Sequence, residues 1–386
     1  MISKESILET LKTFSFPRLS GTVSEQKAFN IALKKINNLS IETNIQEFRF
    51  STFFSRVYPK IIFFLGFLTV SLLFFFLSIP SIIILSIINV CIILLLVFLM
   101  SKPEKVRFYK YLESANLYVK LPTKLSKNNK TNNKEMNIFF ICHLDSKGQK
   151  YIISIRVKAI RGYVFSLIFI IGLIIIRSFL SGFFLLFILI FGILPLTYNG
   201  ICMMILLLNT TDNSSPGAVD NASGIACVYE LLKYYNDDNN RFSNLNTWFV
   251  FTGAEETGTM GIRNFYRKMN YLEKDFVLII NFDSIGKIIT IYNSWYKPEW
   301  YLDFYEKFVN HQKIHENPKK ITLGSHSDGY FYKKKLYPGI EFGDVSSYNF
   351  MHSKDDTIDK VDPKLLKDLC EVIIDNLRDL DESNAN

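Results

Sequence analysis

The chain has 386 residues, enough for one large domain or two ordinary ones with a full core. Hydrophobic residues make up 49% and Phe alone contributes 35, and they collect in long blocks that argue against an ordinary soluble core. A net charge of +8 could suggest nucleic acid, but Lys and Arg gather beside the apolar blocks without any aromatic-interleaved basic motif, so no nucleic-acid partner is expected.

The opening stretch MISKESILETLKTF is charged and amphipathic and lacks the apolar run of a signal peptide, so this segment is expected to fold unexported. Thr22 to Glu25 has the pattern of a capping box, and Ala28, Ile31 and Ile36 continue it as an amphipathic helix. Ile41, Thr43 and Ile45 alternate with polar residues and predict a strand. Two uncharged blocks follow, Ile61 to Ile79 and, after Pro80, Ser81 to Ser101. A second pair, Gly162 to Leu180 and Phe183 to Leu208, is broken only by Arg177 and Pro195. A bilayer needs about 20 residues, so each block is predicted to span and each pair to form a hairpin. Arg56, Lys60, Lys102, Lys105, Arg107, Lys110, Arg156, Lys158 and Arg161 flank one side of the spans, and Arg177 is alone on the other. The basic side should face the cytoplasm, and both chain ends share it. The expected organisation is thus a soluble domain in three pieces, 1–56, 102–158 and 209–386, with membrane hairpins at 57–101 and 159–208.

Within the soluble pieces Leu117, Val119 and Leu121 alternate as a strand, and Leu125 to Lys134 reads as a polar loop. Met136 to Cys142 is a buried strand ending in His143-Leu144-Asp145-Ser146. The turn Pro216 to Ala226 carries Asp220 into a helix, Ala222 to Tyr235, with Ile225, Val228 and Leu232 on one face. Strand Thr247 to Thr252 leads to Glu255-Glu256, strand Phe276 to Phe282 leads to Asp283, and a strand-like Gly339 to Phe342 precedes His352 and a helix from Pro363. Strands alternating with helices predict an α/β fold with a mostly parallel, helix-covered sheet. Cys91, Cys142, Cys202, Cys227 and Cys370 show no CxxC spacing, so neither a disulfide framework nor a cysteine zinc site is expected.

Four strand ends thus offer groups that bind hard or borderline metals: His143, Asp220 through its turn, Glu255 with Glu256, and Asp283. His352 arrives from a later loop. Imidazole and carboxylate suit zinc, and a pair of ions needs one carboxylate to bridge them. Singly, each residue also reads as a helix cap, a satisfied polar side chain or a solvated face. Two zinc ions against Asp220, Glu256, Asp283 and one hydroxide would leave a nearly neutral buried centre.

The series HLDS, GAVDNASG, GAEETGTMG, NFDSIG and MHS resembles the motifs of the co-catalytic di-zinc aminopeptidases, the family of aminopeptidase Y and bacterial leucyl aminopeptidases. FPRLSGTVSEQKAF resembles that family's opening helix and ANLYVKLP the strand before its first ligand, with both hairpins as insertions. The resemblance implies two zinc ions: His143 and Glu256 on the first, Asp283 and His352 on the second, and Asp220 bridging. It further implies that Glu255 is the general base, that Asp145 orients the His143 imidazole, and that the Asp220-Asn221 peptide is cis. His326 and Asp328 fall where similar proteins line the cleft, whereas His311 and His315 read as surface residues. The resemblance implies an aminopeptidase acting on peptides through a metal-bridging hydroxide; the predicted spans would embed it in a membrane, and the hairpin inserted between His143 and Asp220 leads to an expectation of peptide substrates near the bilayer. A non-catalytic scaffold of the same fold, another exopeptidase and a single-zinc glutaminyl cyclase stay open as alternatives.

Overall fold

The computed structural model describes residues 2–124, 135–309, 314–316 and 327–383. The polar stretch Leu125 to Lys134 and the residues His311 and His326 lie outside them, and only the backbone of His315 is described. The chain divides into two compact units, one of Met1–Phe50, Leu112–Gly148 and Asp212–Asn386, the other of Ser51–Tyr111 and Gln149–Thr211.

The first unit is built on strands β1 (Asn44–Ser51), β2 (Tyr111–Leu121), β3 (Met136–His143), β6 (Leu245–Thr252), β7 (Val277–Phe282), β8 (Ile289–Asn293), β9 (Ile314–Glu316) and β10 (Gly339–Gly343), while β4 (Gly148–Gln149) and β5 (Thr211–Asp212) form a separate two-stranded ribbon. The sheet order is β1-β2-β6-β3-β7-β10-β8-β9. Its centre is parallel: β3 pairs with β6 and β7, and β7 with β10. Every residue of β3, β6 and β7 is buried, as expected of strands covered on both faces.

The sheet as a whole is mixed, which corrects the mostly parallel expectation. β2 runs antiparallel to β6, and β8 antiparallel to β10. Only residues 283–288 join β7 to β8, too few for the crossover that a parallel return requires. The strand expected around Ile41 to Ile45 also shifts. β1 begins at Asn44 and buries Phe48 and Phe50, leaving Ile45 at 48% exposure. Side chains alternate along a strand, so once Phe48 and Phe50 face inward, Ile45 must face out.

Helices cover both faces. Lys4–Phe14 is capped by Ser3, Val23–Asn37 by Thr22, and both bury apolar residues in the main core with Ser223–Asn236 and Pro363–Ser383. The opposite face is closed by Met260–Met269 and Asp328–Lys334 over Phe139, Ile141, Trp248 and Ile279.

In the second unit four helices are long and apolar enough to cross a membrane: Tyr58–Phe76, Pro80–Leu99, Ile153–Arg177 and Gly182–Leu207. The last breaks at Gly192, because Pro195 has no N–H to give the carbonyl of residue 191. Arg177 turns back to donate from Nη1 to Leu73 O (3.2 Å) and from Nη2 to Phe75 O (3.1 Å), capping carbonyls that end the first helix.

Candidate metal centre

Parallel strands bring their carboxyl ends to one edge of a sheet. Here β3 ends on His143, β6 leads through Gly253-Ala254 to Glu255 and Glu256, and β7 is followed by Asp283. Asp220 has no buried strand before it, so three strand ends contribute rather than four. It stands in a bend entered through Gly217 at φ 63°, and the Asp220-Asn221 peptide is cis. Asn221 secures this bend by donating from Nδ2 to Phe282 O at 2.8 Å. His352 comes from the loop after β10 with φ 60°.

All five expected ligands converge. His143 Nε2 lies 3.1 Å from Asp220 Oδ1 and 3.5 Å from Asp283 Oδ1. His352 Nε2 lies 3.0 Å from Asp220 Oδ2 and 3.0 Å from Glu256 Oε1. Two donor groups result, His143 with Asp220 and Asp283, and His352 with Asp220 and Glu256, each with donor atoms within 4.8 Å of one another. Asp220 belongs to both. The partition differs from the expected one: Asp283 goes with His143 and Glu256 with His352. The register of β3 beside β7, where Ile141 faces Asn281, carries Asp283 toward His143, a proximity invisible to chain order.

Asp145 does more than its expected role. His143 Nδ1 is 3.0 Å from the Asp145 carbonyl and 3.5 Å from its Oδ1. The carboxylate accepts from the Glu255 N–H at 3.1 Å, the Glu256 N–H at 3.0 Å and Ser20 Oγ at 2.5 Å. It therefore holds the loop bearing both glutamates.

Four further groups at the centre were not expected there from the sequence. Asp356 accepts from the Val219 N–H at 2.7 Å and the Asp220 N–H at 3.2 Å, fixing the Asp220 bend. Burial and the Asp220 charge push its carboxyl up to about 7. Glu25 accepts from the Gly21 N–H, Ser114 Oγ and the Ala254 N–H at 2.6, 2.8 and 2.9 Å, and burial raises it to about 8. Lys147 Nζ lies 2.6 Å from Glu256 Oε2. Arg18, fully buried, bonds carbonyls on both sides of the centre. Of these only Arg18 and Glu25 stood inside a stretch the sequence marked, and no local pattern distinguishes them from helix-flanking residues.

The electrostatics suit cations. Burial alone would depress the His143 pKa, yet Asp145, Asp220 and Asp283 hold it well above the usual imidazole value. Burial would raise Asp220, but His143 and His352 keep it far below the usual carboxylate range. Glu255 is pushed well up by burial, and its Oε1 is buried with no hydrogen-bond partner among the described residues. Asp328 Oδ2 accepts from Thr252 Oγ1 at 2.5 Å, and burial raises that carboxyl to about 7. Carboxylates outnumber imidazoles around one buried space, which fits divalent ions held by nitrogen and oxygen.

Residues 203–377 match peptidase family M28. That stretch, under half of the chain, is similar to the M28 peptidases. The chain is accordingly a metallopeptidase, a hydrolase, in line with its two carboxylate and imidazole groups. The M28 stretch includes Asp220, Glu255, Glu256, Asp283 and His352, while His143 precedes it. No curated protein matches the chain by sequence. Among solved structures it is similar to an aminopeptidase from Aneurinibacillus sp. strain AM-1, at 12% identity and a TM-score of 0.57, covering 97% of this chain and 93% of that one. It is also similar to BSAP, a zinc aminopeptidase from Bacillus subtilis (10%, TM-score 0.56, 98% and 96% covered), and to a Fimbriiglobus ruber glutaminyl cyclase (12%, 0.53, 97% and 94%). At such identities the likeness concerns the fold.

Proposed function

We propose that the chain is a membrane-anchored zinc aminopeptidase that releases N-terminal residues from peptides, with two zinc ions per chain. The observation that carries the reading is the pair of donor groups sharing Asp220. His143, Asp220 and Asp283 would hold one ion, and Asp220, Glu256 and His352 the other, so a single carboxylate would bridge. When bound, zinc supplies Lewis acidity and a water of lowered pKa.

The remaining chemistry belongs to the chain. Glu255, with its free Oε1, takes the proton from the attacking water and returns it to the leaving amine. Asp145 keeps Glu255 in place through the backbone N–H and holds the His143 ring by its carbonyl. The excess of carboxylates attracts a substrate's free α-ammonium, which favours an exopeptidase. Glu255→Gln should keep its zinc and lose turnover by about a hundredfold or more, assayed on free and N-acetylated peptides. Full activity in that variant, or equal cleavage of acetylated peptides, refutes the reading.

The four apolar helices are proposed as spans with the soluble unit on the cytoplasmic side, following the Lys and Arg distribution. Cleavage of the stretch 125–134 by protease added outside sealed, right-side-out vesicles would overturn that side. A second reading, a single-zinc glutaminyl cyclase, is favoured by Lys147, a resident cation 2.6 Å from Glu256 Oε2 that competes with an ion there. One zinc per chain, with cyclisation of N-terminal glutamine, would decide for it.

A further inference from the structure

Arg18 has no exposed surface, and its guanidinium meets backbone carbonyls from three separate stretches. Nε donates to Leu144 O at 2.8 Å, Nη1 to Phe16 O at 2.8 Å, to Pro216 O at 2.7 Å and to Phe14 O, and Nη2 to Gly217 O at 3.1 Å. The backbone continues the tie. The Arg18 N–H donates to Ser146 Oγ at 3.0 Å, the Ser146 N–H to Arg18 O at 3.0 Å, and Ser146 Oγ to Ser215 O at 3.1 Å. Leu144 follows His143 directly, and Gly217 opens the bend that ends in Asp220.

These two ligand segments are strangers in sequence, because Gln149–Thr211 of the second unit lies between them. A chain excursion of that length leaves the spacing of its ends undetermined. The guanidinium is suited to fix it. It is a rigid planar fork with five donors, so one group reaches several carbonyls at set angles, whereas an ammonium acts as a point charge. Space at the junction is tight: a Cβ on Gly217 would come within 2.5 Å of Ser146 Cβ and 3.0 Å of Arg18 Nη2. Asp356 holds the far side of the same bend through Val219 and Asp220.

We propose that Arg18 is a positioning residue that sets the distance between His143 and Asp220 and thereby the zinc affinity of the group these two share with Asp283; this rests on the metal-centre reading above. The test uses the full-length chain in detergent, with zinc affinity measured by competition against a chromogenic chelator and the stability of the metal-free protein measured separately. Arg18→Lys should weaken zinc tenfold or more, in the range that losing groups behind metal ligands costs. In Arg18→Ala, added guanidinium ion should restore affinity where ammonium does not. Ser146→Ala, a milder cut of the same tie, should weaken zinc several-fold and carries the test if the Arg18 variants do not fold. Glu230→Gln, whose described partners are Ser6 and Lys233, should lower stability and leave zinc affinity unchanged. Wild-type affinity in folded Arg18→Lys and Ser146→Ala, with only stability reduced, overturns the positioning role. Failure of the wild type itself to bind zinc overturns the metal-centre reading and the proposal with it.

Discussion

Asp145→Asn isolates the loop that carries Glu255 and Glu256. Asp145 is completely buried, with Oδ1 accepting from the Glu255 N–H and Oδ2 from the Glu256 N–H and Ser20 Oγ. An amide of the same shape turns one oxygen into a donor. In its better orientation it keeps the Glu256 and Ser20 contacts and sets an NH2 against the Glu255 N–H. The variant loses one charge-assisted hydrogen bond and buries an unpaired donor, for which about 3 kcal/mol is a fair sum, on the order of a hundredfold in the unfolding equilibrium. The assay is urea unfolding of the metal-free chain followed by tryptophan emission, since Trp248, Trp295 and Trp300 all lie in the first unit. The effect must also depend on pH. Burial would raise the Asp145 carboxyl, but His143 and Ser20 bring its pKa below 3.8, so its contribution is present above that value and lost as pH falls through the lowered one. The difference between wild type and variant should therefore shrink in acid. A change below about 0.5 kcal/mol near neutrality would refute the reasoning.

Two further outcomes follow from the same unit. A Cβ at Gly224 would sit 2.4 Å from Asn221 Oδ1 and 2.5 Å from Phe282 O, so Gly224→Ala should cost about 1–3 kcal/mol by prying the helix from β7, read as a lowered midpoint in the same unfolding assay. Burial raises Glu25 to about 8, Asp328 to about 7 and Glu341 to about 8 in the folded chain. Acids raised in this way contribute stability below their unfolded values and lose it as pH climbs through the folded ones, so the chelator-treated protein should melt lower at about pH 9 than at about pH 6. Melting that rises across that window would contradict the burial of these groups.

The parts of this molecule that were legible in its sequence are those written locally. Met136 to Cys142 reads as a buried strand because both faces are covered, and the apolar blocks read as long helices because nearly every residue in them is apolar. The motif residues His143, Asp220, Glu255, Glu256, Asp283 and His352 were visible as a series, and the fold brings the side chains of all but Glu255 into the two donor groups. What chain order does not encode is which strand lies beside which. The pairing of Asp283 with His143 depends on β7 lying next to β3, and the antiparallel β8 depends on the short link after Phe282. Arg18 and Asp356 escaped for a similar reason. Their partners are backbone groups far along the chain, which no periodicity reveals.

Glu25 looks like half of a capping box, yet its Oε1 accepts from the N–H of Ala254, 229 residues further on. Synthesis at roughly 5–20 residues per second places those two residues tens of seconds apart. During that interval both apolar hairpins emerge, before the Ala254 N–H exists to donate to Glu25. Assembly of the loop that carries Glu255 and Glu256 is thus a late event in the life of the chain, closed by a residue that was among the first to be made.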